Sequence, residues 1–332
     1  MTVWANVAAG PALPEDVVDA VVIGGGPAGY TAAIYLARSL ASTVVLAGTA
    51  AGGQLMDTAL VENFPGFPDG IEGPELMTRM REQAERAGAV VFNLDAAAIR
   101  LATSDGARGP GHHEVATAEG VVRARAIVLA TGSAPRRLGV PGEADLGGGL
   151  GVAYCAVCEA PLFKGADVVV VGGGDSAMEE ALALAKYARR VRLIHRSSVF
   201  RAAPVMVERV RALANAEVIT GAVVVAAHAD ATGRLGSVEI EDVTSRERCL
   251  IPSAGLFVAI GHTPRSELVA GQLGTSATAH LHPTGPGGAT SLPGVFVAGD
   301  VADDRFRQAV TAAGAGCAAA LETSRYLEEH HA

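Results

Sequence analysis

Two cysteines separated by two residues, Cys155 and Cys158, are the side chains of this sequence with the clearest capacity for chemistry. Thiols at this spacing can close a small disulfide, and the arrangement lowers the pKa of one thiol so that it can act as a nucleophile. A zinc site also uses such pairs, but it needs about four ligands. No second pair of this kind and no histidine pair stands nearby in the sequence. The spacing therefore favours redox chemistry over metal binding.

Two segments of the chain repeat one pattern of buried strand, glycine-rich turn, helix and second strand. The first spans residues 19–47 with the turn Gly24–Gly29, and the second spans residues 167–196 with the turn Gly172–Ala177. Glycine permits the tight geometry and the close approach to a pyrophosphate that such a turn requires, and the helix start presents free N–H groups to phosphates. One turn alone is a weak signal, but two copies in the same context predict two dinucleotide sites.

The remaining predicted strands indicate an α/β protein. We predict two Rossmann-like dinucleotide-binding domains of three layers, with the second inserted into the first. Pro135, Pro141 and a glycine-rich stretch mark a crossover between them, and a buried strand begins near residue 255. These signals place the first domain at 1–136 and 255–332 and the second, which carries the cysteine pair, at 137–254. The alanine- and glycine-rich helix Ala309–Leu321 is suited to close packing on a cofactor or a sheet.

Composition excludes several classes of protein. The 332 residues carry 26 Lys and Arg against 35 Asp and Glu, a formal charge of −9 that argues against nucleic-acid binding. No stretch approaches the roughly 18 uninterrupted apolar residues of a membrane span. The segment Met1–Asp16 has no basic flank before an apolar run, so it does not resemble a secretory signal. We expect a cytoplasmic protein that binds neither nucleic acid nor membrane, and four cysteines are too few for a disulfide scaffold.

In their order along the chain, the motifs resemble those of the low-molecular-weight thioredoxin reductase family. The motifs are Gly24–Gly29, Gly52–Leu55, Val61–Gly66, Ala130–Gly132, Cys155–Cys158, Gly172–Ala177, Gly299–Val301 and Arg307–Ala309. The resemblance implies that the first domain binds FAD, that the inserted domain binds NADPH, and that the domains rotate so that the flavin meets NADPH and the dithiol in turn. Family members are typically homodimers, so a homodimer is expected here.

The resemblance also assigns residues to the FAD site. They are Gly24, Gly26, Pro27, Ala28, Gly29, Gly53, Gln54, Leu55, Asn63, Thr131, Gly132, Asp300, Arg307, Gln308 and Ala309. The glycines would hold the pyrophosphate, Asp300 the ribityl chain, and Gln308 with Ala309 the isoalloxazine edge. A carboxylate after a buried strand needs donors, which agrees with a sugar-like partner for Asp300. Its alternative role is to cap the following helix.

The second nucleotide site departs from the family at one position. The residues assigned to NADPH by the resemblance are Gly172, Gly174, Asp175, Ser176, Arg196 and Arg201. The strand after the turn ends in a basic residue, Arg196, where an acid would indicate NAD, and a basic residue suits a 2′-phosphate. The family usually has a second arginine directly afterwards, where this chain has Ser197. NADPH is therefore favoured, but its 2′-phosphate should be bound more weakly than by two adjacent arginines. The alternative is that Arg196 and Arg201 are ordinary surface arginines.

By resemblance, Cys155 attacks the substrate disulfide, Cys158 faces the flavin, and Glu159 moves the proton. The family has the shorter aspartate at the position of Glu159. The alternative is that Glu159 is a solvated surface acid without a role in the chemistry. Where the family tends to carry an aromatic pair after the dithiol, this chain has Ala160, Pro161 and Leu162. Aromatic anchors dominate interface energies, so this difference bears on the partner rather than on the chemistry.

The sequence therefore predicts a flavoprotein disulfide reductase that passes electrons from NADPH through FAD to Cys155 and Cys158 and on to a disulfide substrate, thioredoxin or a thioredoxin-like protein. Three alternatives stay open. The same fold could oxidise a small-molecule dithiol and pass the electrons to O2, or it could draw electrons from ferredoxin in place of NADPH. A flavin-binding protein without enzymatic activity would have little use for the cysteine pair.

Overall fold

The computed structural model describes residues 12–102 and 111–330, which form two compact units. The first unit contains the described residues up to Leu55, those of Glu75–Ser133, and those from Pro264 onwards. The second unit contains Met56–Pro74 and Ala134–Thr263. Residues 1–11, part of the N-terminal segment considered above, lie outside the described residues.

Within the described residues, helices and strands alternate along most of the chain. The α-helices are α1 (Pro27–Arg38), α2 (Gly73–Ala87), α3 (Ala156–Glu159), α4 (Asp175–Leu184), α5 (Pro204–Arg211) and α6 (Ala309–Glu329). Short 3-10 helices span Gly53–Asp57, Ala160–Phe163, Glu267–Val269, Pro286–Gly288 and Gly299–Val301. The strands are β1 (Val18–Ile23), β2 (Thr43–Leu46), β3 (Val90–Phe92), β4 (Ala98–Arg100), β5 (His113–Thr117), β6 (Gly120–Leu129), β7 (Ser133–Pro135), β8 (Val152–Ala153), β9 (Asp167–Val171), β10 (Arg190–His195), β11 (Ala216–Thr220), β12 (Ala222–Ala229), β13 (Leu235–Asp242), β14 (Arg248–Pro252), β15 (Gly255–Val258), β16 (His262–Pro264) and β17 (Val295–Val297).

The first unit is built on a seven-stranded sheet in the order β3-β2-β1-β6-β5-β4, with β17 also paired to β6. Strand β6 is long enough to pair with β5 through its first half and with β17 through its second half. The pairs of β1 with β2 and β6 are parallel, and Ala20, Val21 and Val22 are fully buried. A strand covered on both faces requires such a continuous apolar run, which is why β1 was recognisable in the sequence.

The second unit contains a parallel five-stranded sheet in the order β11-β10-β9-β15-β8 and an antiparallel three-stranded sheet in the order β12-β13-β14. Strand β15 pairs with β9 and β8, so it belongs to this unit. The first unit resumes at Pro264 and not near residue 255 as the sequence suggested. An apolar run shows that a strand is buried, but it does not show which sheet the strand joins.

The predicted α/β fold with two Rossmann-like units is confirmed. Both repeats form the expected strand, turn, helix and strand, as β1-α1-β2 and β9-α4-β10. The last helix, α6, is longer than predicted. It packs so closely on α1 that a Cβ atom at Gly316 would collide with the carbonyl oxygen of Ala28. Its small residues therefore serve a contact between helices. No helix in the described part of the chain is both long and apolar enough to cross a bilayer.

Candidate active site

The first glycine turn has a closed side and an open side. At Gly24 the backbone φ is +120°, and a Cβ atom would collide with the carbonyl oxygen of Ala130, so only glycine fits. Gly26 has an ordinary φ of −88° and precedes α1, and a Cβ atom there would have no atom within 4 Å. No described side chain caps this helix start. The free N–H groups of α1 therefore face open space of the kind that a dinucleotide phosphate occupies.

A second loop closes on this turn. The N–H of Gly52 donates to the carbonyl oxygen of Gly25 at 3.1 Å, which brings Gly53 beside Gly26. The next side chain, Gln54, donates from Nε2 to the carbonyl oxygen of Ser133 at 3.0 Å and to Oδ2 of Asp300 at 3.3 Å. Gln54 thus links the glycine turn to the ends of strands β6 and β17.

Asp300 follows β17 and is half-buried. Burial, reinforced by the negative charge of Asp303, raises the pKa of Asp300 to about 6. A carboxylate in this condition gains from further donors, and the hydroxyl groups of a ribityl chain would supply them. The alternative that Asp300 caps the following helix is wrong, because Gln308 occupies the cap position of α6 and shares a capping box with Thr311.

The residues before α6 are fixed by one carboxylate. Asp303 accepts hydrogen bonds from the backbone N–H groups of Arg305 and Phe306 at 2.9 Å and of Arg307 at 3.2 Å. Arg307 adopts a left-handed conformation with φ of 49°, which is unfavourable for a residue with a side chain. The three hydrogen bonds offset this cost and hold Gln308 at the start of the helix. Asp303 lies outside the predicted site residues, although an aspartate before a polar turn is the usual signal for such a structure.

The predicted FAD residues are mostly brought together in the first unit. The residues that share this unit are Gly24, Gly26, Pro27, Ala28, Gly29, Gly53, Gln54, Leu55, Thr131, Gly132, Asp300, Arg307, Gln308 and Ala309. Asn63 lies instead in Met56–Pro74, which belongs to the second unit. The hydroxyl group of Thr131 donates to the carbonyl oxygen of Arg265 at 2.6 Å, so its role here is to hold its own chain. The open backbone of the first glycine turn and the desolvated carboxylate of Asp300 together fit a flavin dinucleotide.

The predicted redox pair is formed as a disulfide between Cys155 and Cys158, whose Cα atoms lie 5.4 Å apart. Cys155 precedes the single turn of α3, and Cys158 lies within it. A helical turn brings residues three apart onto one face, which is why this spacing can close so small a ring. The pair lies in the second unit.

Glu159 ends the same turn and is half-buried. Burial raises the pKa of Glu159 from 4.5 to about 7. Its carboxyl group can therefore hold a proton near neutral pH and release it, as a group that serves thiol chemistry must. The alternative of a fully solvated surface acid does not fit this burial, although the proton transfer itself stays a prediction.

This raised pKa predicts a dependence of stability on pH. In the folded protein Glu159 binds its proton more tightly than in the unfolded chain, so its contribution to stability is fully present below pH 4.5 and is lost as the pH rises to about 7. Glu159→Gln should remove up to about 3 kcal/mol of that decline. Urea unfolding at pH 5 and pH 8 measures it, with the exposed Glu328→Gln as the control. An identical decline in both variants would contradict the assignment.

The second glycine turn repeats the geometry of the first. A Cβ atom at Gly172 would collide with the carbonyl oxygen of Ala259, whereas Gly174, which precedes α4, has open space around that position. The carboxylate of Asp175 accepts a hydrogen bond from the N–H of Ala203 at 2.8 Å. The carboxylate of Asp175, predicted to contact NADPH, is therefore engaged with its own chain. Ser176 follows in the first turn of the helix.

Arg196 and Arg201 are both exposed in the segment that follows β10. The backbone N–H of Arg201 donates to the carbonyl oxygen of Gly173 at 2.8 Å, which attaches this segment to the glycine turn. The hydroxyl group of Ser197 accepts a hydrogen bond from the N–H of Val199 at 3.1 Å. Two cations on a segment anchored beside a free helix start suit a nucleotide with an additional phosphate.

The fold and the site define a two-dinucleotide redox enzyme, and comparison with known proteins agrees. Residues 18–316 match the family of pyridine nucleotide-disulphide oxidoreductases, to which the chain belongs. A thioredoxin reductase of Mycolicibacterium smegmatis is 47% identical over 95% of this chain and 98% of its own length. A bifunctional thioredoxin reductase/thioredoxin of Mycobacterium leprae is 46% identical over 96% of this chain and 68% of that protein. The solved thioredoxin reductase of Giardia duodenalis is 36% identical, with a TM-score of 0.85 over 95% of this chain and all of that one.

Within that class the chain is a member of the thioredoxin reductases, and Cys155 and Cys158 are its redox-active pair. The resemblance deduced from the motifs is thereby confirmed. A flavin-binding protein without enzymatic activity is excluded by this membership.

Proposed function

We propose that the enzyme passes electrons from NADPH through FAD to the disulfide of Cys155 and Cys158 and from there to a thioredoxin. The closed disulfide beside a protonatable Glu159 carries the proposal, because it combines an electron acceptor and a proton donor in one turn of helix. The two glycine turns, each with an uncapped helix start, support one dinucleotide apiece. FAD, when bound, would supply the two-electron relay between a hydride donor and a disulfide.

The steps on this chain's own residues need two electrons and two protons, which the hydride of NADPH and one proton from solvent would supply. Reduction opens the disulfide and leaves two thiols. The thiolate of Cys155 then attacks a substrate disulfide, forming a mixed disulfide and releasing one substrate thiolate. Cys158 attacks the mixed disulfide, restores the ring and releases the second substrate thiol. Glu159 gives a proton to a departing thiolate and takes one back from Cys158.

Exposed apolar residues flank the cysteine pair in the sequence, which supports a protein partner of apolar character. The side chains of Val157, Leu162 and Leu150 are 64%, 51% and 38% exposed. Leucine buries apolar area but lacks the rigid ring that favours interface hot spots. The name of the Mycobacterium leprae relative, a bifunctional thioredoxin reductase/thioredoxin, supports thioredoxin as the partner. A thioredoxin encoded alongside this chain should fit better than an unrelated one.

A side-by-side assay tests the direction and the partner. Anaerobic NADPH should bleach the flavin rapidly, and a thioredoxin from the same source should be reduced with a lower KM than a thioredoxin from an unrelated organism. Oxygen uptake with small dithiols is measured in parallel. Dithiol closure with O2 and no response to NADPH would establish the oxidase instead, and reduction only by ferredoxin would replace the electron donor.

Discrimination between NADPH and NADH should be improvable at one position. A charge-assisted contact to a phosphate contributes about 1.5–3 kcal/mol, so Ser197→Arg should lower the KM for NADPH about ten- to a hundredfold and leave that for NADH unchanged. Loss of the hydrogen bond from Val199 to the Ser197 hydroxyl reduces this gain. The exposed Ser198→Arg adds the same charge one position away and is the control. A wild-type preference for NADH would remove the assigned role of Arg196 and Arg201.

We also propose a homodimer, on the resemblance to the family, and a cytoplasmic location, on the absence of a secretory signal pattern in the sequence. Light scattering of the purified protein measures the oligomeric state, and fractionation of the source cells measures the location. A monomer with full activity would remove the dimer from the proposal.

A further inference from the structure

The segment between β10 and α5, residues 196–203, which we call the basic loop, is fixed at its far end on the second glycine turn. The backbone N–H groups of Arg201 and Ala202 donate to the carbonyl oxygen of Gly173 at 2.8 and 3.1 Å. The N–H of Ala203 donates to Oδ1 of Asp175 at 2.8 Å. Three successive residues of the basic loop are thus attached to two residues of the turn.

The middle of the basic loop is held by an aromatic contact. The ring of His195, at the end of β10, stacks on Phe200 with ring centres 4.9 Å apart, and its Nε2 lies 3.1 Å from the carbonyl oxygen of Val199. A Cβ atom at Gly173 would collide with this ring, so the glycine makes room for it. These contacts attach the backbone of the basic loop to the second glycine turn and to the end of β10.

We propose that Asp175 is a positioning residue for recognition of the nucleotide 2′-phosphate, and that it acts through Arg201. The proposal rests on NADPH as the electron donor. The backbone of Arg201 is attached through its own N–H to Gly173, and the chain is attached again two residues later, through the N–H of Ala203 to Asp175. Fixing the backbone of a long cationic side chain lowers the entropy lost when it binds a phosphate. Arg196 directly follows β10 and does not need this anchor.

A direct contact between Asp175 and the nucleotide makes the opposite prediction. Its carboxylate and the phosphates of a nucleotide have the same sign of charge, so their proximity opposes binding. Removing the charge would then strengthen binding. If Asp175 acts instead by accepting the hydrogen bond from Ala203, removing the acceptor weakens binding, and Asp175→Asn, which keeps an oxygen acceptor, preserves it.

The test is calorimetric titration of the purified flavoprotein with 2′,5′-ADP and 5′-AMP, which differ in the 2′-phosphate. Asp175→Ala should weaken binding of 2′,5′-ADP about tenfold and leave binding of 5′-AMP unchanged. Asp175→Asn should bind both probes like the wild type. Ala203→Pro, whose φ of −55° suits proline, removes the donor and should reproduce Asp175→Ala. Thermal unfolding of each variant confirms that the second unit is intact.

Double variants identify the cation through which Asp175 acts. In the Arg201→Ala background, Asp175→Ala should have no further effect, whereas in the Arg196→Ala background its full effect should remain. Equal weakening of both probes, an unchanged effect without Arg201, or Asp175→Asn behaving like Asp175→Ala would overturn this inference alone. A wild type that does not prefer 2′,5′-ADP would overturn the NADPH assignment together with it.

Discussion

Cys155→Ser should abolish reduction of thioredoxin, with a loss of turnover on the order of a thousandfold or more. A serine hydroxyl is hardly ionised near neutral pH, so it cannot attack a substrate disulfide as the Cys155 thiolate does. The flavin should still be reduced by NADPH, because that step precedes the dithiol in the proposed sequence. Turnover and flavin bleaching measured on the same preparation separate the two steps. The exposed Cys249→Ser is the matched control and should retain full activity.

The two cysteines should also differ in the covalent species that they form. Cys158→Ser leaves the attacking thiolate but removes the group that resolves the mixed disulfide, so it should accumulate a covalent complex with thioredoxin on a non-reducing gel. Cys155→Ser should form none. Thiol titration of the unfolded chain gives an independent count: the wild type as isolated should show Cys249 and Cys317 free, with Cys155 and Cys158 joined. Turnover that survives in both single variants would remove the dithiol from the mechanism.

The backbone features of the site could be predicted because they leave a strong mark on composition. A turn such as Gly24–Gly29 needs glycine where the chain passes a strand carbonyl, and Cys155 and Cys158 need their spacing to close a ring. Both requirements are local, so the sequence alone contains them. The position of Gly26 at an open, uncapped helix start follows from the same local pattern.

The features that were missed depend on contacts between distant parts of the chain. Asp175 resembles a ligand residue in the sequence, but its carboxylate is used by Ala203, which lies after the next strand. Asn63 stays a predicted contact of the flavin nucleotide, but its motif does not show that its segment, Met56–Pro74, belongs to the second unit. The raised pKa of Glu159 comes from burial, which no residue type reveals. Such facts are set by tertiary packing, and a motif does not encode them.

The flavin site itself is tested most strongly by Gly26→Val. The wild type should purify yellow with about one FAD per chain, since one uncapped turn and one desolvated carboxylate, Asp300, share the first unit. A Cβ atom at residue 26 would have no protein atom within 4 Å, and the φ of −88° is allowed for valine, so the variant should fold. Its side chain would instead occupy the space assigned to the pyrophosphate. We expect a colourless protein with an unchanged far-ultraviolet circular dichroism spectrum.

Two control variants define what this result means. Gly24→Val places a side chain against the carbonyl oxygen of Ala130 at a φ of +120°, so it should lose both flavin and stability. Gly174→Val makes the same change at the open position of the second turn, so it should keep the flavin and lose NADPH binding. Absorbance at the flavin band, urea unfolding and nucleotide titration distinguish the three. Because a bound cofactor stabilises the folded state by mass action, Gly26→Val should unfold at the lower urea concentration of apoprotein prepared from the wild type. Full flavin content in a folded Gly26→Val protein would place the pyrophosphate elsewhere and would show that the first glycine turn has only a structural role.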